Sequence, residues 1–281
     1  MPTHLNHEVI DLPHDEIAAR VALACAGLNG HRAVGEAIRH IGSARGVITR
    51  ARHHLGPLPE PIAIRIRQTP AALILATLEL TRHHRMRLLT PDTEAWPVQL
   101  NELGCAAPTV LWVAGDLTNL AEAPIAITGT SRPTSEDRHL TVELATRLAG
   151  EGWTIAATGR AGVDQLVTNA AVAMGGRAMT VSNQARPAHP DSGRVILSEN
   201  PPGIPLTLAA ALRTHMLLGV LGRKTVVIDA EAESGAERTG IVAHALGRPL
   251  GSFGDRAGSK RLILQFAATQ VHDAIQVNRL S

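Results

Sequence analysis

PIAITGTSR (Pro124–Arg132), then SEDRHLTVELATRLAGEG (Ser135–Gly152), then WTIAAT (Trp153–Thr158) and GRAGVDQLVTNAAVAMGG (Gly159–Gly176) decide the fold of this 281-residue chain. A short apolar run entering a glycine turn reads as a buried strand. An amphipathic stretch of helical period follows it, and the same order then repeats. Such β-α-β-α alternation implies a parallel sheet with crossover helices. Outward from this centre, further strands are expected at RAMTVS (177–182), RVILSE (194–199) and KTVVIDA (224–230). Helices are expected at LTLAAALRTHMLLGVL (206–221) and AERTGIVAHALG (236–247). The expected fold is α/β, an extended Rossmann-like parallel sheet with flanking helices over residues 88–281.

Residues 1–87 read differently. EIAARVALACAGL (16–28) and AVGEAIRHIG (33–42) carry apolar residues at helical spacing, GPLPEP (56–61) interrupts, and PAALILATLELTRHH (70–84) is a further helix. This part is expected to be a small helical domain. It holds 11 Arg against 7 acidic residues, a net +4, and the remainder is −2. The basic run Arg82, His83, His84, Arg85, Arg87 reads as a solvated helix end that suits the dipole. Nine histidines precede residue 88 with no HxxxH pair backed by acids, so no metal site is expected. Cys25 and Cys105 fit no metal spacing and read as buried thiols. The polar start MPTHLNHEVIDLPHDE lacks the order of a signal peptide, and no apolar stretch is long enough to span a membrane, so the cytoplasm is the expected compartment. Only five aromatic residues of Trp, Tyr and Phe type occur, which argues against binding single strands mainly by base stacking.

In a doubly wound sheet, ligands sit beyond the carboxyl ends of the strands, where glycines let amides approach an anion and helix N-termini favour it. Three loops qualify. Gly129-Thr130-Ser131-Arg132 offers a tight turn, two hydroxyls and a guanidinium. Thr158-Gly159-Arg160-Ala161-Gly162 is of the same make-up, with Asp164 at the start of the following helix. Glu233-Ser234-Gly235 leads to Arg238 and Thr239. No dinucleotide fingerprint or P-loop is present, and Ser131 has no nucleophile elbow around it. Glu199 and His215 are candidate acid–base groups, but a lone Glu after a strand and a lone His on a helix usually serve structural hydrogen bonds. No catalytic constellation is assembled, and no cofactor is expected.

LTPDTEAWPVQLNELGCAAPTVLWVAGDLTNL (89–120), IAITGTSRPTS, TGRAGVDQLVTNAAVAMGGRAMTV, LSENPPG, RTHMLLGVLGRKTVVIDAEAESGAERTGIVAHALGRPL and SKRLILQFAATQV keep the order and spacing of motifs in one family. Over roughly residues 89–275 the chain resembles the DNA processing protein A (DprA/Smf) family. The resemblance implies a single-stranded-DNA-binding accessory protein of DNA uptake and recombination that self-associates as a homodimer and helps deliver a RecA-type recombinase. With no catalytic constellation in its loops, no enzyme activity is expected. Phosphate contacts would come from Gly129, Thr130, Ser131, Arg132, Thr158, Gly159, Arg160, Gly162, Arg213, Ser234, Gly235 and Thr239, with Arg132 and Arg213 as main ligands. The family's winged-helix C-terminal domain is expected to be absent.

The chain departs from the pattern in four places, one of them the third loop, where GAERT stands in for the family's residues but keeps Ser234, Gly235 and Thr239. The second loop is one residue shorter, which leaves the role of Arg160 open, and Val167-Thr168 replace an Ala-His pair. Of an Arg-Asn-Arg motif only Arg213 remains, followed by Thr214 and His215. Two rivals stay open. One is a nucleotide-binding or nucleotide-hydrolysing enzyme of the related phosphoribohydrolase-like group, for which Glu237 is the candidate despite the missing paired glycines. The other is a scaffold that has lost DNA binding.

Overall fold

The computed structural model describes residues 15–120, 122–188, 193–205 and 207–281. The polar opening of the chain and the first three histidines lie outside them. Five helices come first: α1 (Glu16–Cys25), α2 (Arg32–Ile41), α3 (Ala44–Arg52), α4 (Glu60–Gln68) and α5 (Ala71–His83). Sequence periodicity misses α4, because GPLPEP reads as a break. Pro59 is in fact its N-cap and Pro61 stands in its first turn, where the missing N–H would have no helical partner anyway. The basic run closes α5 at its C-terminal end. Both cysteines are free but only half-buried, a correction to their reading as buried thiols.

The strands are β1 (Arg87–Leu89), β2 (Leu111–Gly115), β3 (Ile125–Gly129), β4 (Ile155–Ala157), β5 (Ala178–Val181), β6 (Arg194–Ser198), β7 (Lys224–Ile228), β8 (Leu250–Phe253) and β9 (Thr269–Gln270). They form one sheet of order β1-β2-β6-β5-β4-β3-β7-β8-β9. Every pairing from β6 to β9 is parallel, but β1–β2 and β2–β6 are antiparallel. The sheet is therefore mixed. Its antiparallel end comes from TVLWVAG, an apolar run with no crossover helix to mark it.

The helices of this part are α6 (Ser135–Gly150), α7 (Val163–Ala173), α8 (Leu208–Leu221), α9 (Gly235–Ala245), α10 (Ala257–Gln265) and α11 (Ala274–Arg279). Strand alternation divides the core between two faces. Ile125, Ile127, Ile155 and Ala157 pack with Leu144 and Leu148 of α6 and Val167 of α7. Ala126 and Ala156 point the other way, into a cluster with Leu217, Leu218 and Leu221 of α8. A capping box fixes the start of α6, with Thr134 accepting from the Asp137 N–H and Asp137 accepting from Thr134 N at 2.7 Å. Among the described residues, no helix is long and apolar enough to cross a membrane.

The helical part and the sheet share one core. Val21, Leu23, Val47 and Ile74 pack with Val110, Trp112 and Ala114 of the β2 region. Trp112 Nε1 donates to Thr81 Oγ1 at 2.9 Å. The Asn29 amide is a second fastening. Its Nδ2 donates to the Val110 and Glu199 carbonyls at 2.7 and 2.6 Å, and its Oδ1 accepts from Thr109 N at 2.7 Å.

Candidate phosphate-binding crevice

Strand β3 lies between β4 and β7, and the chain leaves it in one direction and returns on the other side, so its carboxyl end is a topological switch point. All three loops singled out from the sequence meet there. Gly129, Ser131, Arg160, Ser234 and Gly235 line a crevice of about 80 Å³, together with Ala161, Asp164, His215, Glu231 and Ala236. Two helices begin at its wall: α7, with Gly162 as N-cap, and α9, with Ser234 as N-cap. The positive ends of their dipoles make the place favourable to an anion.

The loops approach so closely because glycine stands at the contacts. Gly162 has φ +97°, and a Cβ there would lie 2.4 Å from the Thr130 carbonyl oxygen. At Gly129 a Cβ would come within 2.2 Å of the Ile228 carbonyl oxygen. Asp164, buried at the start of α7, binds two strand ends together. Its carboxylate accepts from Thr128 Oγ1 at 2.9 Å, Gly129 N at 3.3 Å and Thr158 N at 2.8 Å, and also from Thr158 Oγ1. Arg256, before α10, is a second brace. It pairs with Asp229 at 2.7 Å and with Glu231, and donates to Thr130 Oγ1 at 2.6 Å and the Arg132 carbonyl at 3.0 Å. Sequence reasoning passes over Arg256 because nothing local marks it: its partners lie up to 126 residues away.

This geometry sorts the predicted residues. Ser131, Arg132 and Arg160 are exposed. Among the described residues, no carboxylate stands within ion-pair distance of either arginine. Thr130 is buried, and its hydroxyl is engaged by Glu231 at 2.8 Å and Arg256. Thr158 is buried on Asp164. Thr239 is buried too, its hydroxyl 3.1 Å from the His215 and Gly235 carbonyl oxygens. These three threonines hold the loops and present no hydroxyl to a ligand. Gly159, with φ +70°, lies over Thr180.

Arg213 corrects the sequence expectation. It is not at the crevice but donates to Glu199 at 2.7 Å and to the Ala106 carbonyl at 2.8 Å. The cause is helical phase. Two residues on a helix are roughly 200° apart, so α8 turns Arg213 away when it turns His215 toward the crevice. Burial pushes the Glu199 carboxyl above its ordinary value, and the Arg213 guanidinium only partly offsets this. Glu199 is thus the buried partner of Arg213 in an ion pair between the end of β6 and α8.

The crevice is electrostatically mixed. Burial works to raise the Glu231 carboxyl, but hydrogen bonds from Thr130 and the backbone, and the Arg256 guanidinium, hold it below the usual range. His215 is 5% exposed. Burial pushes its imidazole below the ordinary value; Asp164 works against this, and Arg160 and Arg238 reinforce it. Glu237, the candidate of the nucleotide-hydrolase reading, is elsewhere. It is 1% exposed, pairs with Arg261 at 2.6 Å and accepts from Glu233 N at 2.6 Å.

Residues 87–277 match the family model described as DNA recombination-mediator protein A. The chain belongs to that family. Two Mycobacterium tuberculosis proteins described as DNA processing protein DprA are 29% identical to it, over 61% of this chain and 50% of each of theirs. The chain thus spans about half the length of the curated relatives it matches. Among solved structures, Streptococcus pneumoniae DprA is similar with a TM-score of 0.76 and 19% identity, covering 94% of this chain and 98% of that one. The DNA processing protein A of Helicobacter pylori, whose structure is described as showing a single-stranded DNA binding mode, is similar with a TM-score of 0.59 and 21% identity, over 69% and 96% of the chains. These two likenesses concern the fold.

Proposed function

We propose that this protein is a single-stranded-DNA-binding accessory factor of DNA uptake and recombination that holds the strand by its phosphates at the β3 switch point. One observation carries the reading: the N-termini of α7 and α9, the Ser131 hydroxyl and the Arg160 guanidinium, which meets no carboxylate among the described residues, converge on one small crevice, with Arg132 exposed in the adjoining loop. The H. pylori relative described as binding single strands supports the choice of ligand. Scarce aromatics favour backbone over base recognition. A cytoplasmic location, a homodimeric state and delivery of a RecA-type recombinase are further parts of the same proposal. So does the lack of enzyme activity, which the engagement of Glu237 by Arg261 supports.

Fluorescence anisotropy with mixed-sequence single-stranded oligonucleotides over a salt series tests it. Affinity falls by about 0.7 log units per phosphate contact for each log unit of salt, with little dependence on base sequence. Absence of binding at low salt, or binding indifferent to salt, refutes the proposal.

A further inference from the structure

His215 lines the crevice, and one of its ring nitrogens has no hydrogen-bond partner among the described residues. The ring lies directly on the first residue of α9, since a Cβ on Gly235 would come within 2.2 Å of it. Its Nδ1 stands 3.3 Å from Thr239 Oγ1. That hydroxyl has a single hydrogen and lies closer, at 3.1 Å, to two backbone carbonyl oxygens. A carbonyl accepts only, so the hydroxyl hydrogen goes to a carbonyl and its oxygen accepts from the ring. On these distances we assign the hydrogen of the neutral imidazole to Nδ1. Nε2 keeps a lone pair, buried and without a partner among the described residues.

A phosphodiester oxygen brought to this wall has no hydrogen to offer, so lone pair would face lone pair. The contact becomes favourable once a proton stands between the two atoms, as Nε2–H donating to the phosphate oxygen. We propose that the crevice takes up one proton from solvent at His215 Nε2 with each phosphate group it binds, so that phosphate binding strengthens as pH falls. The proton balance is simple: imidazole, phosphodiester anion and one hydrogen ion combine into an imidazolium–phosphate pair, and release returns the hydrogen ion.

The surroundings suit such a device. Asp164 of α7 favours the imidazolium, while Arg160 of the β4–α7 loop and Arg238 of α9 oppose it. Glu231, which also faces the crevice, already has its carboxylate on Thr130 and Arg256. The N-terminus of α9 opposes the cation as well. In the empty site, burial and these cations keep the ring neutral. An arriving anion reverses the balance. The volume of about 80 Å³ suits one phosphate group and is far below the roughly 300 Å³ at which pockets for larger ligands begin.

The proposal rests on the DNA reading only for the source of the phosphate, and the test separates the two. Calorimetry of oligonucleotide binding at pH 7 in two buffers of different ionisation heat counts the protons taken up. An NMR titration of the His215 imidazole, with and without inorganic sulfate, an anion that brings no proton of its own in this range, reads the same event without DNA. The expected results are an uptake approaching one proton, an affinity gain approaching tenfold per pH unit on acidification, and a His215 titration moved upward by sulfate. His215→Gln flattens the pH slope, and His215→Arg binds independently of pH. Should these variants fail to fold, the parent protein's proton count and titration decide. DNA binding without proton uptake, or with an unchanged slope in the Gln variant, overturns this inference and leaves the DNA reading standing. A titration moved by sulfate in a protein that ignores DNA does the reverse. No response to either ligand overturns both.

Discussion

Replacing Asp164 by Asn changes one atom and is expected to loosen the crevice from within. The carboxylate is 3% exposed and accepts from four donors: Thr128 Oγ1, Gly129 N, Thr158 N and Thr158 Oγ1. Asn keeps one oxygen, which can serve the two Thr158 donors. Its amide then faces Thr128 Oγ1, which can turn to accept, and Gly129 N, which cannot. The variant loses one backbone bond and the charge assistance of the others, about 2–3 kcal/mol in all, and Ala, which orphans two backbone N–H groups, loses about 3–5 kcal/mol. Against a total stability of roughly 5–15 kcal/mol these are large fractions. Urea unfolding followed by tryptophan fluorescence reads the Asn loss as a midpoint shift of about 0.7–1 M, for a slope near 3 kcal/mol/M. Asn also removes the negative charge that favours protonation of His215, so phosphate affinity at pH 7 falls with stability. An Asn variant within about 0.5 kcal/mol of the parent would show that Asp164 does not bind the strand ends together.

Arg132→Ala and Arg160→Ala each weaken single-stranded DNA binding and lower the salt slope by about 0.7, with melting temperatures near the parent's because both side chains are exposed; equal slopes in parent and variant would remove these contacts. Arg213→Ala leaves DNA affinity almost unchanged but lowers stability by about 3–5 kcal/mol, because the buried Glu199 carboxylate loses its partner. Since the Glu199 carboxyl already sits above its ordinary value, it can escape by protonating, so the Arg213→Ala deficit, measured by urea unfolding at several pH values, shrinks toward pH 4.5 and grows as pH rises through the raised value. Gly162→Ala costs about 1–3 kcal/mol from backbone strain alone, since its φ is +97° and the new Cβ would press on the Thr130 carbonyl; a melting curve matching the parent's would refute the close approach of the two loops. In the ligand-free protein the lowered His215 value means that the unfolded chain binds this proton more tightly. Stability therefore falls as pH drops below about 6.5, and His215→Gln removes that part of the acid loss in urea titrations.

Much of the architecture was legible because it rests on local patterns. The alternation in IAITG, the helical period after it and the glycine at its end place β3, α6 and the first loop without reference to anything distant. The antiparallel end of the sheet was hidden, since no local signal says which way an apolar run such as LWVAG will pair. The site divides along the same line. Strand-end loops were visible, but the engagement of a hydroxyl depends on what another part of the chain brings to it. The Thr130 hydroxyl stands out in the sequence but is occupied by Glu231 and Arg256, and that of Thr158 by Asp164. Helical phase separated Arg213 from His215. A wheel drawn over Leu208–Leu221 shows that both cannot face one crevice, although it does not say which of them does.

The fastening at Asn29 bears on how this protein can be recombined with its relatives. One amide serves the Thr109–Val110 backbone and the carbonyl of Glu199 together, and the Trp112 face it borders is covered by helices from the first part of the chain. A chimaera joined near residue 87 would inherit the two halves of this seam from different parents. The graft would hold only if position 29, the covering helices and the Trp112 face had come from the same one.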